Sequence, residues 1–260
     1  MVKWLRFTLI GLALVSVLLV LLPAGGTAYL NSPRGQQLIR DRINRMIQGE
    51  ISWKKLELSL YSGGIEIQDL LVTGPDRRLL AGAEQVRANL AMLWLPAGRI
   101  SLENLELQKP RIALARDNQG RWPLAEAFSR PGPRNDSSAP LVNPRIDLSI
   151  DTFLASGGSL DFSDSPSAIA VSMDEVSIWG EDLRLSTPAG KIRLEIGRGG
   201  IEAPGFNAPI DRLNLTANLE AERLAPVEVD LALGDSSFRL AGSVERLSAE
   251  PWIEIGRAHV

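Results

Sequence analysis

The chain has 260 residues, 45% in the apolar set and 23% charged, the proportions of a globular protein rather than a disordered one. Its formal charge is −3, which leaves no global basic field for nucleic acid, although residues 1–140 carry 18 Lys/Arg against 12 Asp/Glu and residues 141–260 carry 10 against 19. There is no cysteine and the single histidine is His259, so thiol chemistry is excluded and a triad or multi-histidine metal site has nothing to draw on.

Residues 1–30 read as a membrane segment. Phe7 to Leu22 is broken only by Thr8, Gly11 and Ser16, follows Lys3 and Arg6, and continues without charge to Ala28. Such a run can span a bilayer as a helix, with Trp4 and Tyr29 as interfacial aromatics. A cleaved export signal ending at Gly26-Thr27-Ala28 is the competing reading, and both send the following chain across the membrane. Residues 31–50 read as an amphipathic helix. Ser32-Pro33 is an N-cap followed by proline at the first helical position, Leu38, Ile39, Ile43, Met46 and Ile47 recur at helical spacing, and Gly49 ends the pattern. Its polar face carries Arg34, Arg40, Arg42 and Arg45 against Asp41 alone. That face could rest on anionic headgroups, or the helix could cap the next domain.

From residue 51 onward the chain reads as strand. Apolar and polar residues alternate through Leu56–Leu60, Val86–Trp94 and Ile146–Asp151, and turn residues fall between such runs at Gly63-Gly64, Gly74-Pro75-Asp76, Pro96-Ala97-Gly98, Asp117-Asn118, Gly157-Gly158 and Gly199-Gly200. This pattern predicts short antiparallel strands, with no useful helix after Gly49. Two β-regions are expected, 51–128 and 145–253, separated by a flexible Pro/Ser-rich loop over 129–144. Ile65-x-Ile67-x-Asp69-Leu70-x-Val72-x-x-Pro75 matches Ile100-x-Leu102-x-Asn104-Leu105-x-Leu107-x-x-Pro110, and the apolar frame returns in Val171-x-Met173-x-x-Val176-x-Ile178. Each copy holds one extra residue, as a β-bulge or bend would. The predicted fold is therefore mainly β: a transmembrane helix and a short helix, then an elongated antiparallel repeating sheet. Its apolar face must be covered by a second sheet, by closure into a barrel, or by a ligand.

Ile255-Gly256-Arg257-Ala258-His259-Val260 is the translation of ATC GGA AGA GCA CAC GTC, a run in a common sequencing adapter, and it continues no alternation. Residues 254–260 are therefore expected to be foreign to the protein.

Catalytic signatures are missing: no Gly-x-Ser-x-Gly, His-Glu-x-x-His or phosphate-binding glycine loop occurs. Asp161, Asp164, Asp174 and Glu175 could in principle hold a hard cation or act as acid and base, but their spacing fits no loop template. Trp53, Trp94, Trp122 and Trp179 lack the basic stripe of a stacking platform. No catalytic residue, metal ligand or cofactor is expected.

Leu60-Tyr61-Ser62-Gly63-Gly64-Ile65-Glu66-Ile67-Gln68-Asp69-Leu70, then Gly98-Arg99-Ile100 through Pro110-Arg111-Ile112, then Arg116-Asp117-Asn118-Gln119-Gly120-Arg121-Trp122-Pro123-Leu124 resemble the N-terminal part of the AsmA-like proteins, among them the TamB (translocation and assembly module) family. Gly158-Ser159-Leu160-Asp161-Phe162-Ser163-Asp164 is similar to segments that recur in the family. The resemblance implies a single-pass inner-membrane anchor and a periplasmic β-groove that carries phospholipid acyl chains toward the outer membrane of a diderm bacterium. It also implies an outer-membrane barrel partner, met through a C-terminal region with no counterpart here. On this reading Ile65, Ile67, Val86, Leu90, Met92, Ile100 and Leu102 are the candidate groove lining. The alternative is an assembly factor for outer-membrane or secreted proteins, guiding polypeptides at a sheet edge.

Overall fold

The computed structural model describes residues 25–91, 99–129, 147–184, 187–221, 223–234, 236–245 and 252–259. The expected membrane segment lies, but for its last residues, outside them, as does nearly all of the Pro/Ser-rich loop. Among the described residues no helix is long and apolar enough to cross a membrane.

The chain is mainly β. Residues 25–31 are helical and lead into α1 (Pro33–Asn44), where the Ser32 Oγ accepts the Gly35 N–H at 3.2 Å and Pro33 opens the helix, as its cap residues predict. The strands are β1 (Glu50–Ser52), β2 (Lys55–Ser59), β3 (Gly64–Thr73), β4 (Leu79–Leu90), β5 (Arg99–Gln108), β6 (Arg111–Arg116), β7 (Asp147–Asp164), β8 (Ile169–Arg184), β9 (Ala189–Ile196), β10 (Arg198–Ala203), β11 (Phe206–Ile210), β12 (Arg212–Glu220), β13 (Arg223–Leu233), β14 (Ser236–Glu245) and β15 (Trp252–His259). A second helix, α2 (Pro123–Ala127), follows β6. All strands belong to one sheet, whose main path runs β1-β3-β4-β5-β7-β8-β9-β12-β13-β14-β15.

The strands off that path lie end to end with strands on it. β1 and β2 both pair with β3, β5 and β6 both pair with β4 and with β7, and β9 and β10 both pair with β8. Each couple is one long strand with a break. The breaks line up across the sheet: Trp53-Lys54 beside Asp69, Asp69 beside Glu84, then Lys109-Pro110, Gly157, Glu175, Gly197 and Asp211. Four of these residues have positive φ: Asp69 (52°), Lys109 (46°), Gly157 (63°) and Glu175 (56°). Left-handed backbone costs a non-glycine residue about 1–2 kcal/mol, so it persists only where the flanking ladders over-determine it.

At this line the apolar alternation shifts by one residue in strand after strand. Ile65 and Ile67 give way to Leu70 and Val72, Leu105 and Leu107 to Ile112 and Leu114, and Val176 and Ile178 to Met173 and Val171. Because neighbouring strands each carry the extra residue at the same place, the sheet bends while its apolar face stays on one side. Repeats one and three put equivalent residues, Asp69 and Glu175, at this crease, whereas the second repeat bulges at Glu103, which drops out of both neighbouring ladders.

One expectation is corrected. The sheet is mixed, not antiparallel, because β5 and β6 run parallel to β7. A parallel return needs a crossover of about a dozen residues or more, and residues 117–146, which hold α2 and the Pro/Ser-rich stretch, supply that length. Residues 252–259 also pair with β14, so backbone pairing continues where side-chain alternation stops.

Candidate functional site: an uncovered apolar lane

On one side of the crease, cross-strand partners form continuous apolar rows. Leu58 and Leu56 face Ile65 and Ile67, which face Ala88 and Val86, then Leu105 and Leu107, then Phe153 and Ala155. The rows continue through Gly180 and Ile178 to Ile192 and Leu194, then Ala217 and Leu215, Val227 and Val229, and reach Leu240 on β14. Directly paired residues point to the same face, so this is one apolar lane crossing the sheet from β2 to β14. Its opposite face is polar, with Glu66, Arg87 and Glu106 in one row and Gln68, Gln85 and Gln108 in the next.

The lane is not a packed core. Leu56, Val86, Ala88, Ala155 and Ala217 are buried, but the larger side chains Leu58, Ile65, Ile67, Leu105, Leu107, Ile178, Ile192, Leu194, Leu215 and Val229 are only half-buried. Among the described residues no second layer lies over it. Of the candidate lining residues, Ile65, Ile67 and Val86 sit in the rows, Leu90 pairs with Leu102 on the same face, and Ile100 follows beside Leu148. Met92 lies outside the described residues. The Gly63-Gly64 turn is part of this geometry: Gly63 has φ 69°, its carbonyl accepts the Leu90 N–H at 2.9 Å, and a side chain there would strike the Leu90 carbonyl.

The lane beyond the crease is covered at its start by α2, five residues long, where no helix of useful length was expected after Gly49. Ala127 of α2 is wholly buried, and its carbonyl accepts the Gly49 N–H at 2.8 Å and the Gln48 N–H at 3.0 Å. Val72 and Leu80 are buried, at 6% and 4% exposure, and Trp122 rests on Phe162 with ring centroids 6.2 Å apart. Asp117 holds the preceding turn. Its Oδ1 accepts the backbone N–H groups of Gln119 and Arg121 at 2.8 and 2.9 Å, and its Oδ2 accepts the Arg121 Nε–H at 2.8 Å. The Arg121 backbone bond is the chief reason that the Asp117 carboxyl is held below its ordinary value, despite some opposing desolvation. At five residues, α2 is too short to show helical periodicity, which is why it is illegible in the sequence.

The edge strands β1 and β2 are closed by side chains from the helical segment ahead of them. Asn31 donates to the Leu58 carbonyl at 2.8 Å and accepts the Leu58 N–H at 2.7 Å, and Asn44 does the same for Ile51 at 3.1 and 2.8 Å. Gln36 donates to the Leu56 carbonyl, Arg40 to the Trp53 carbonyl, and Thr27 accepts the Leu60 N–H. These groups stand where a further strand would bond, which is one way of closing an edge. The expected helix over 31–50 ends at Asn44 because that side chain is committed to β1. The signal was present as Gln36, Arg40 and Asn44, four residues apart on one helix face.

The acidic candidates are not brought together. Asp164 is buried against Arg116, 3.7 Å away, Glu175 pairs with Arg198 at 2.6 Å, and no group of three metal-ligating side chains forms among the described residues. Nor do the tryptophans form a platform. Trp53 is buried under the Arg40 guanidinium, 5.0 Å from its ring, Trp122 covers Phe162, Trp179 lies on the opposite face from the lane, and Trp94 is outside the described residues. Exposed ion pairs stitch the crease, Lys54–Asp69 at 3.7 Å and Lys109–Glu84 at 3.0 Å, each worth little in water. No protein-family model matches the chain, and no curated protein matches it.

Proposed function

We propose that this chain is the membrane-proximal part of a non-enzymatic lipid conduit of the AsmA-like type, anchored in the inner membrane by residues 1–30. Its β-region would lie in the periplasm and its apolar lane would carry phospholipid acyl chains toward the outer membrane. The observation that carries this reading is the lane itself: rows of half-buried aliphatic side chains crossing a single sheet, with no covering layer among the described residues. Aliphatic side chains left half-buried along a strip that crosses the whole sheet have the character of a binding surface. Acyl chains suit it because they need contact along a strip and no directional polar partner. The assembly-factor alternative requires strand addition at an open edge, and the β1–β2 edge has its bonding groups occupied while α1 is docked.

The test is photocrosslinking in cells with benzophenone at Leu90, compared with Glu106 on the polar face. Phospholipid captured at Leu90 and not at Glu106 is expected. Leu102→Asp should abolish capture while lowering the unfolding midpoint little. Capture at neither site in a folded protein, or unfolding by Leu102→Asp, would show that protein covers this face.

A further inference from the structure

The side of α1 turned away from the sheet is as patterned as the side that clamps it. Gln36, Arg40 and Asn44 face β1 and β2, while Arg34, Leu38 and Arg42 follow one another at the same four-residue step, about half a turn round the axis, with Arg45 and Met46 in the turn just past the helix end. Arg34, Arg42 and Arg45 are exposed, and Asp41 is the one acidic residue in the helix. Leu38 and Met46 are 56% and 61% exposed, and Tyr29, in the helical segment just before, is 54% exposed. Large apolar side chains left in water between arginines do nothing for the sheet. They do fit a bilayer interface, where arginine stems lie along apolar surface with the charge in the headgroups and Leu, Met and Tyr reach the acyl boundary. The chain arrives at this helix directly from the uncharged run Phe7–Ala28, within reach of the same surface.

We propose that the outward stripe of α1 lies in the headgroup region of an anionic bilayer, so that the side-chain clamp carries the β1–β2 edge to the membrane surface. The partner is a lipid surface, recognised by three arginines and a row of apolar anchors. This shares the membrane anchor of the conduit reading but needs nothing in the apolar lane, so the two fail separately.

The chain contains no cysteine, so single labels are unambiguous. The full chain, reconstituted in vesicles of phosphatidylcholine with or without phosphatidylglycerol, would carry an environment-sensitive fluorophore at Leu38→Cys, Met46→Cys or, as a control in the β6–α2 turn, Gln119→Cys. Brominated lipid should quench the labels at 38 and 46 in anionic vesicles and spare the label at 119. Combining Arg34→Glu, Arg42→Glu and Arg45→Glu should release the labels, each arginine being worth about fivefold in partitioning. Slow hydrogen exchange at the Ile51 and Leu58 amides would show that the clamp survives in that variant. Raising salt on the unreversed chain should produce the same release without those substitutions. Labels at 38 and 46 as open to aqueous iodide as the label at 119, or quenching equal in neutral and anionic vesicles, would overturn the proposal.

Discussion

The two lanes on either side of the crease have the same makeup and differ at the end where they start. Beyond the crease, where the lane starts, Val72 and Leu80 are buried, α2 packs against β4 and β6, and Trp122 is laid over Phe162. On the near side, Ile65, Ile67, Leu105, Ile192 and Leu194 are no less apolar, yet they stay only half-buried across the width of the sheet. The covering device is small: a turn pinned by Asp117, one tryptophan and one helical turn. Among the described residues the cover stops there: Ile112, Leu114, Val171 and Met173, farther along the same lane, are as half-buried as Ile65 and Leu194. The difference predicts that stability depends more on the covered start of the far lane than on the open lane.

The sharpest way to break this comparison is to truncate equivalent leucines. Leu80→Ala removes a side chain that is 4% exposed and should cost about 2–5 kcal/mol. Leu194→Ala, in the open lane, should cost less than about 1 kcal/mol because water already reaches it. Urea midpoints measure both, and equal costs would mean that the open lane is packed after all. A smaller effect is expected at the crease. A Cβ on Gly158 would lie 2.8 Å from the Pro110 Cγ and 2.9 Å from its carbonyl oxygen, so Gly158→Ala should cost about 1–3 kcal/mol through overpacking where the strands bend. If thermal unfolding shows no loss, the crease yields easily and does not hold the two lanes at a set angle.

The smallest effect concerns the cover. The Asp117 carboxyl is held below its ordinary 3.8, chiefly by the Arg121 backbone bond, so it stabilises the turn at every pH above that value. The contribution is lost as pH falls through the lowered value. Exchange at the Gln119 and Arg121 amides should accelerate, after correction for intrinsic rates, in acid below about pH 3.8, and in Asp117→Asn this acid-induced change should vanish. Protection that is independent of pH would remove Asp117 from the account of the cover.

Much of this was legible locally. The alternation of Leu56–Leu60 and Val86–Leu90, the Ser32-Pro33 cap and the turns at Gly63-Gly64, Gly74-Pro75-Asp76 and Asp117-Asn118 are properties of neighbouring residues, and the structure keeps them; Gly157-Gly158 and Gly199-Gly200, read as turns, lie inside β7 and β10 instead. The extra residue in the Ile65 and Val171 repeats was also readable, because a bulge displaces the alternation within its own strand. Of the candidate lining, six residues share one face for the same reason: period two fixes a face once the bulge at Glu103 is counted.

What only the tertiary structure decided is everything that depends on which strand lies next to which. Alternation carries no direction, so it could not show that β5 and β6 run parallel to β7, nor that α2 would be carried by that crossover onto β4 and β6. Each bulge is visible alone, but their alignment from Lys54 to Asp211 requires the pairing register of eight neighbouring strand paths. The clamp was hidden for the same reason. Asn31, Gln36 and Asn44 look like ordinary helix-surface residues until the edge of a sheet, separated from them by several residues of chain, presents its unpaired N–H and C=O groups to them.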